Sequence, residues 1–92
     1  MPLHKFVRIE FDPQKNAENV AKHGLSFDEF NGWDSEAAAT VEDTRFDYGE
    51  VRWIELGRID GVPHAIVYTV RKSVVRLISF RRAHEEEIRR HE

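Results

Sequence analysis

Apolar and polar positions along the chain switch between two periods, and the switches mark the elements. Residues 6–11 set Phe6, Arg8 and Glu10 against Val7, Ile9 and Phe11, the two-residue alternation of a half-buried strand. Asp12-Pro13 ends it. Asp12 is a good helix N-cap, and Pro13 suits the first helical position, where a missing N–H costs nothing. The helix that follows carries Ala17, Val20 and Ala21 on one stripe and stops at Gly24, the residue type that closes helices in the left-handed conformation. Ser26-Phe27-Asp28-Glu29 then has capping-box spacing, with Leu25 and Phe30 placed as a hydrophobic staple. This pattern predicts a second helix with Phe27, Phe30 and Trp33 on its apolar face, fading near Asn31-Gly32 or running on irregularly towards Ala39.

Residues 39–42 suggest a short strand, and the polar run Asp43 to Glu50 a loop. Residues 51–60 resume a strand pattern, Asp60-Gly61 supplies a tight turn, and residues 63–71 form the return strand. Lys72-Ser73 turns again into residues 74–83. Strict alternation there places Val75, Leu77, Ser79 and Arg81 on one side and Val74, Arg76, Ile78 and Phe80 on the other. A strand apolar on both sides is a covered, central one, so Arg76 and Arg81 must reach water, pair with a carboxylate, or receive an anion. Residues 84–92 form a helix candidate with Glu85–Arg89 and Glu86–Arg90 at i,i+4 spacing and Ile88 as nearly its only apolar anchor. The expected architecture is α+β: two N-terminal helices packed on an antiparallel sheet, and a short C-terminal helix, in one domain spanning residues 1–92.

Composition narrows the function classes. A chain of 92 residues buries only about 60% of the surface its unfolded form exposes, enough for one core and one modest site. It has no cysteine, so disulfides, thiolate metal sites and cysteine nucleophiles are excluded. No apolar run approaches membrane-spanning length, and the expected location is the cytoplasm with no membrane partner. The net charge of −3 is unevenly spread: residues 1–50 hold 5 Lys and Arg against 11 Asp and Glu, residues 51–92 hold 9 against 6. Between Arg71 and Arg82 stand five basic residues and no acidic one, a local field suited to a polyanion.

The five histidines show no metal-ligand spacing, no glycine loop cradles a phosphate, and no nucleophile elbow supports a Ser/His/Asp triad. No metal site and no cofactor are assigned. What remains is a set of Arg, Lys, His, Glu and Tyr residues able to handle a phosphodiester. Metal-free RNA cleavage needs a base for the 2′-hydroxyl, cations for the developing phosphorane charge, and a donor for the leaving oxygen.

The order of motifs resembles the BrnT family of bacterial type II toxins. The resemblance runs through Phe11-Asp12, Lys15 and Asn19, then Lys22-His23-Gly24-Leu25-Ser26-Phe27 and Glu29. It continues with Tyr48-Gly49-Glu50, Arg52-Trp53, Gly57 and Val67-Tyr68-Thr69, and ends with Arg76-Leu77-Ile78-Ser79, Arg81-Arg82-Ala83 and Glu87. Phe80 stands where the family commonly has Ala. The resemblance implies a RelE-like fold and an endoribonuclease that halts translation. It also implies neutralisation by a BrnA-like ribbon-helix-helix antitoxin, through which alone the complex reaches operator DNA. Arg52, Arg76 and Arg81 would then hold the scissile phosphate, if the strand register brings them to one face. Glu50 or His23 would move the proton, Ser79 or Tyr68 would orient the phosphate, and Lys22 would bind substrate. A competing expectation is a non-catalytic module whose arginines anchor an antitoxin-like partner.

Overall fold

The computed structural model describes residues 8–92, in the order β1 Arg8–Glu10, α1 Pro13–His23, β2 Ala39–Glu42, β3 Trp53–Ile59, β4 Val62–Arg71, β5 Val74–Arg82 and α2 Glu85–Arg89. Of the expected first strand, Phe6 and Val7 lie outside the described residues. The strands form one sheet in the order β1-β5-β4-β3-β2. β2 to β5 are antiparallel neighbours, as the turn chemistry requires. Asp60 and Gly61 (φ 51° and 77°), then Lys72 and Ser73 (φ 51° and 66°), take the doubly left-handed conformation that matches strand twist in two-residue hairpins. β1 pairs parallel to β5, Ile9 opposite Val75, so the sheet is mixed rather than wholly antiparallel. Local patterning carries no information on that long-range pairing.

The register of β4 and β5 shifts between Val67 and Tyr68: Tyr68 faces Leu77 while Val67 faces Ser79, leaving Ile78 unopposed. This bulge inverts the alternation for the rest of β5. Phe80 therefore joins Val75 and Leu77 on one face with Ile66 and Tyr68, and with Leu25 and Phe27 they make the core. Phe30 packs edge-on against both Trp33 and Phe80, at centroid distances of 5.1 and 5.6 Å. The same inversion moves Arg81 to the second face, beside Ser79 and in line with Arg76. The expected division, with Arg76 and Arg81 on opposite sides, is thus corrected.

Among the described residues one N-terminal helix forms rather than two. The capping box closes as expected, the Ser26 N–H donating to Glu29 Oε2 at 3.0 Å, but the helix stops as a single 3₁₀ turn over Phe27–Glu29. Beyond it the chain is drawn along β3: the Asp34 N–H donates to Arg58 O and the Ala38 N–H to Leu56 O, both at 2.8 Å. Backbone groups committed to the sheet edge cannot continue a helix.

α1 begins and ends as its sequence dictates. Asp12 accepts the Gln14 N–H at 2.8 Å, and Gly24 closes the helix at φ 74°. Its seat is not the apolar stripe, however. Ala17, Val20 and Ala21 are exposed, and the inward residue is Asn19, 6% exposed. The Asn19 amide donates to Leu25 O and Phe80 O at 2.8 Å each and accepts the Phe80 N–H at 3.0 Å. β1 covers β5 only as far as Arg76, and Asn19 supplies the missing strand's hydrogen bonds further along that edge.

α2 lies on the second face. Arg58 grips Glu85 and Glu92, Arg81 grips Glu87, and Ile88 beneath them is fully buried. Burial of such a side chain contributes about 1.5–3 kcal/mol, so one residue and two ion pairs to the sheet hold this five-residue helix, with Glu92 beyond it adding a third. No helix among the described residues is long and apolar enough to cross a membrane.

Candidate functional site

Ser79 is the meeting point. It stands on the second face of β5 between Arg76 and Arg81, same-face neighbours spaced about 7 Å apart along a strand. It also lines a cleft of about 170 Å³ between α1 and the edge of β5, together with Lys15, Glu18, Asn19, Lys22, His23 and Ile78. Because Asn19 fixes α1 against Phe80, its helical neighbours Lys15, Lys22 and His23, at i−4, i+3 and i+4, are aimed at this cleft.

His23 has its pKa lowered from 6.5, first by partial burial, then by the positive charges of Lys22 and Arg81. Its imidazole is accordingly neutral at physiological pH and available to accept a proton. Four of the residues picked from the sequence, Lys22, His23, Ser79 and Arg81, are thus brought together, with Arg76 adjoining along β5.

Arg52 shares that face at greater distance. It precedes β3, two strands from β5, hence about 10 Å across the sheet from Arg76, with Thr69 between them. Its guanidinium stacks on the Tyr48 ring at 4.0 Å and donates to Glu50 at 3.3 Å. Glu50 is also held by Arg71 at 2.6 Å, and the two guanidiniums, Arg71 foremost, lower its pKa. A carboxylate so stabilised is a poor base. The three arginines proposed for one phosphate share a face, but each has its own carboxylate: Arg52 with Glu50, Arg76 with Glu10 at 3.1 Å, and Arg81 with Glu87 in a two-point contact at 3.0 and 3.2 Å.

Tyr68 does not reach the site. It is fully buried on the core face and its hydroxyl donates to Glu55 at 3.1 Å, with its pKa raised chiefly by burial. The expected phosphate contact through Tyr68 is corrected: strand parity directs the ring inward, and Ser79 is the hydroxyl on the accessible side. Lys15, Glu18, Asn19 and Ile78 also line the cleft, and of these Lys15 and Asn19 carry a signal that residue type alone does not give. Their signal was helical spacing, since Lys15, Asn19, Lys22 and His23 form one stripe. Among the described residues, no group of three or more His, Asp or Glu is arranged to hold a metal ion.

The cleft of this small α+β protein thus gathers two ammonium groups, the Glu18 carboxylate, the His23 imidazole and the Ser79 hydroxyl. The chain matches, over residues 11–87, the family model described as the ribonuclease toxin BrnT of type II toxin-antitoxin systems, and it belongs to that family. It is therefore an RNA-cleaving enzyme with a cognate antitoxin, which removes the purely non-catalytic reading. A comparison with curated proteins returns no match.

Proposed function

We propose that this toxin is a metal-independent endoribonuclease acting at the cleft between α1 and β5. Neutral His23 takes the proton of a 2′-hydroxyl, and the resulting oxygen attacks the adjacent phosphorus. Arg81 and Arg76 balance the charge that develops on the phosphoryl oxygens, Ser79 donates a hydrogen bond to one of them, and Lys22 supplies a donor to the leaving 5′-oxygen. Arg52 binds the RNA backbone further along the face, and Glu50 positions Arg52 rather than carrying a proton. The observation that carries this reading is a histidine of lowered pKa opening on the same cleft as Lys22 and Ser79, within the field of Arg81.

Cleavage of messages would halt translation in the cytoplasm. The antitoxin is BrnA-like, with a ribbon-helix-helix part through which the complex binds operator DNA; the family assignment and the motif order support this. The test is incubation of the purified chain with RNA in excess chelator. Cleavage leaving 2′,3′-cyclic phosphate ends, lost in His23→Ala and reduced in Ser79→Ala, is expected. RNA that stays intact until a divalent cation is added would overturn the mechanism.

A further inference from the structure

The cations of this protein fall into two groups. Arg45, Arg52, Arg58, Arg71, Arg76, Arg81 and Arg89 each hold a carboxylate. Among the described residues Arg8, Lys15, Lys22, Lys72, Arg82 and Arg90 hold none; Glu18 lies three positions from Lys15 and four from Lys22 and lines the α1–β5 cleft with them. Both lysines line the α1–β5 cleft. They stand seven positions apart, two helical turns or about 10.5 Å along the axis, with buried Asn19 between them pinned to the sheet. The helix edge that bears the two ammonium groups is therefore fixed against the sheet through Asn19. Lys15 is itself half-buried. Its ammonium group lines the cleft and holds no carboxylate.

We infer that Lys15 is a binding residue for a flanking phosphate of the RNA, one held beside the scissile position and taking no part in bond breaking. This rests on the cleft being the reaction centre. An RNA strand whose scissile phosphate sits by Lys22 and Ser79 continues along α1, and Lys15 is the next cation it meets. A lysine ammonium, a compact point charge with three donors, suits a backbone phosphate whose orientation is not fixed. The contact selects for chain length: the enzyme favours an oligoribonucleotide over a dinucleotide that lacks the flanking phosphate.

The experiment compares wild type, Lys15→Ala and Lys15→Arg on a short oligoribonucleotide and on a dinucleoside monophosphate. Binding of an uncleavable 2′-O-methyl oligomer is measured alongside. Lys15→Ala should raise KM and weaken oligomer binding about tenfold, leave kcat unchanged, and reduce the slope of log binding against log salt by roughly 0.7, the loss of one single-strand phosphate contact. Lys15→Arg should restore most of the affinity. The dinucleotide should be cleaved equally by all three. A methylphosphonate walked along the oligomer should reproduce the lysine's loss at one flanking position and show no further loss with Lys15→Ala there. Unchanged oligomer binding and salt slope in Lys15→Ala, or an equal loss of kcat on both substrates, would overturn the flanking site. Full cleavage by His23→Ala would instead remove the cleft as reaction centre, so the two failures are distinguishable.

Discussion

The side-chain amide of Asn19 hydrogen-bonds both backbone groups of Phe80, its Nδ2–H to the carbonyl at 2.8 Å and its Oδ1 to the N–H at 3.0 Å. One side chain thereby continues the sheet edge that β1 leaves open after Arg76. It replaces the apolar packing that would ordinarily seat a helix, because Val20 on the same helix is 44% exposed. Asn19→Ala would orphan the Phe80 pair and the Leu25 carbonyl in a buried setting. At about 1–3 kcal/mol for a buried group left unpaired, partly relieved by entering water, a loss of about 3 kcal/mol in denaturant-measured stability is expected. Asn19→Asp should lose nearly as much, since it cannot donate. A loss below about 0.5 kcal/mol for both would show that the amide does not hold the helix.

The lowered pKa of His23 makes a prediction with a definite sign. The base is active when neutral, so kcat/KM should fall as pH drops, with its midpoint below the ordinary histidine value of 6.5. Removing the neighbouring charge with Lys22→Met should move that limb to higher pH, because one of the causes lowering the pKa is gone. The folded chain also binds this proton less tightly than the unfolded chain. Stability therefore declines as pH falls through 6.5 and below, and His23→Gln should flatten that decline. An acid limb unchanged in position by Lys22→Met would contradict the assignment of the limb to His23.

Much of this arrangement was legible in the residues themselves. Asp12, Pro13 and Gly24 bound α1, Ala39 and Glu42 bound β2, and Asp60-Gly61 and Lys72-Ser73 set two hairpins, since caps and two-residue turns are decided by local backbone chemistry. Of the candidate residues, Lys22, His23 and Ser79 line one cleft, with the Arg81 charge near His23. What was not legible depends on partners distant in sequence. The bulge at Ile78 follows from how β5 meets β4, yet it alone decides that Arg76, Ser79 and Arg81 share a face and that Phe80 is core. The seat of α1 lies in Asn19, a polar residue, rather than in the stripe of Ala17, Val20 and Ala21, and its partners Phe80 and Leu25 are set by the tertiary fold. The capping box at Ser26 was real, but capping starts a helix without guaranteeing that it propagates.

Gly57 is a packing requirement rather than a turn. A Cβ at this position would stand 2.3 Å from Trp33 Cδ2, inside the indole that crosses β3 to donate its Nε1–H to buried Glu55 at 2.8 Å. Gly57→Ala must push that ring away and loosen the contact with Glu55. Overpacking of this kind costs about 1–3 kcal/mol, and in a Trp53→Phe background the remaining tryptophan emission should shift to the red as Trp33 gains water. Unaltered emission together with unaltered stability would mean that the indole has room to spare.

Arg81 and Glu87 make a competition testable from both sides. The guanidinium holds Glu87, helped by the His84 N–H, and lowers its pKa from 4.5 to about 2. The pair contributes fully above pH 4.5, where the carboxylate is charged folded or unfolded, and its contribution is lost as pH falls from 4.5 towards 2. With about a third of each side chain exposed, solvent screening limits the contribution to about 1 kcal/mol or less. Glu87→Gln keeps an oxygen for the His84 N–H but gives up the charge. It should therefore be less stable than wild type near neutrality by up to about 1 kcal/mol, the difference vanishing in acid. In the same variant Arg81 is released towards Ser79 and a phosphate there, so binding of 2′-O-methyl RNA should tighten roughly threefold and its salt slope should steepen. Lower stability with no gain in RNA binding would place Arg81 in the anchoring of α2 alone, and would leave the scissile phosphate to Lys22, Ser79 and Arg76.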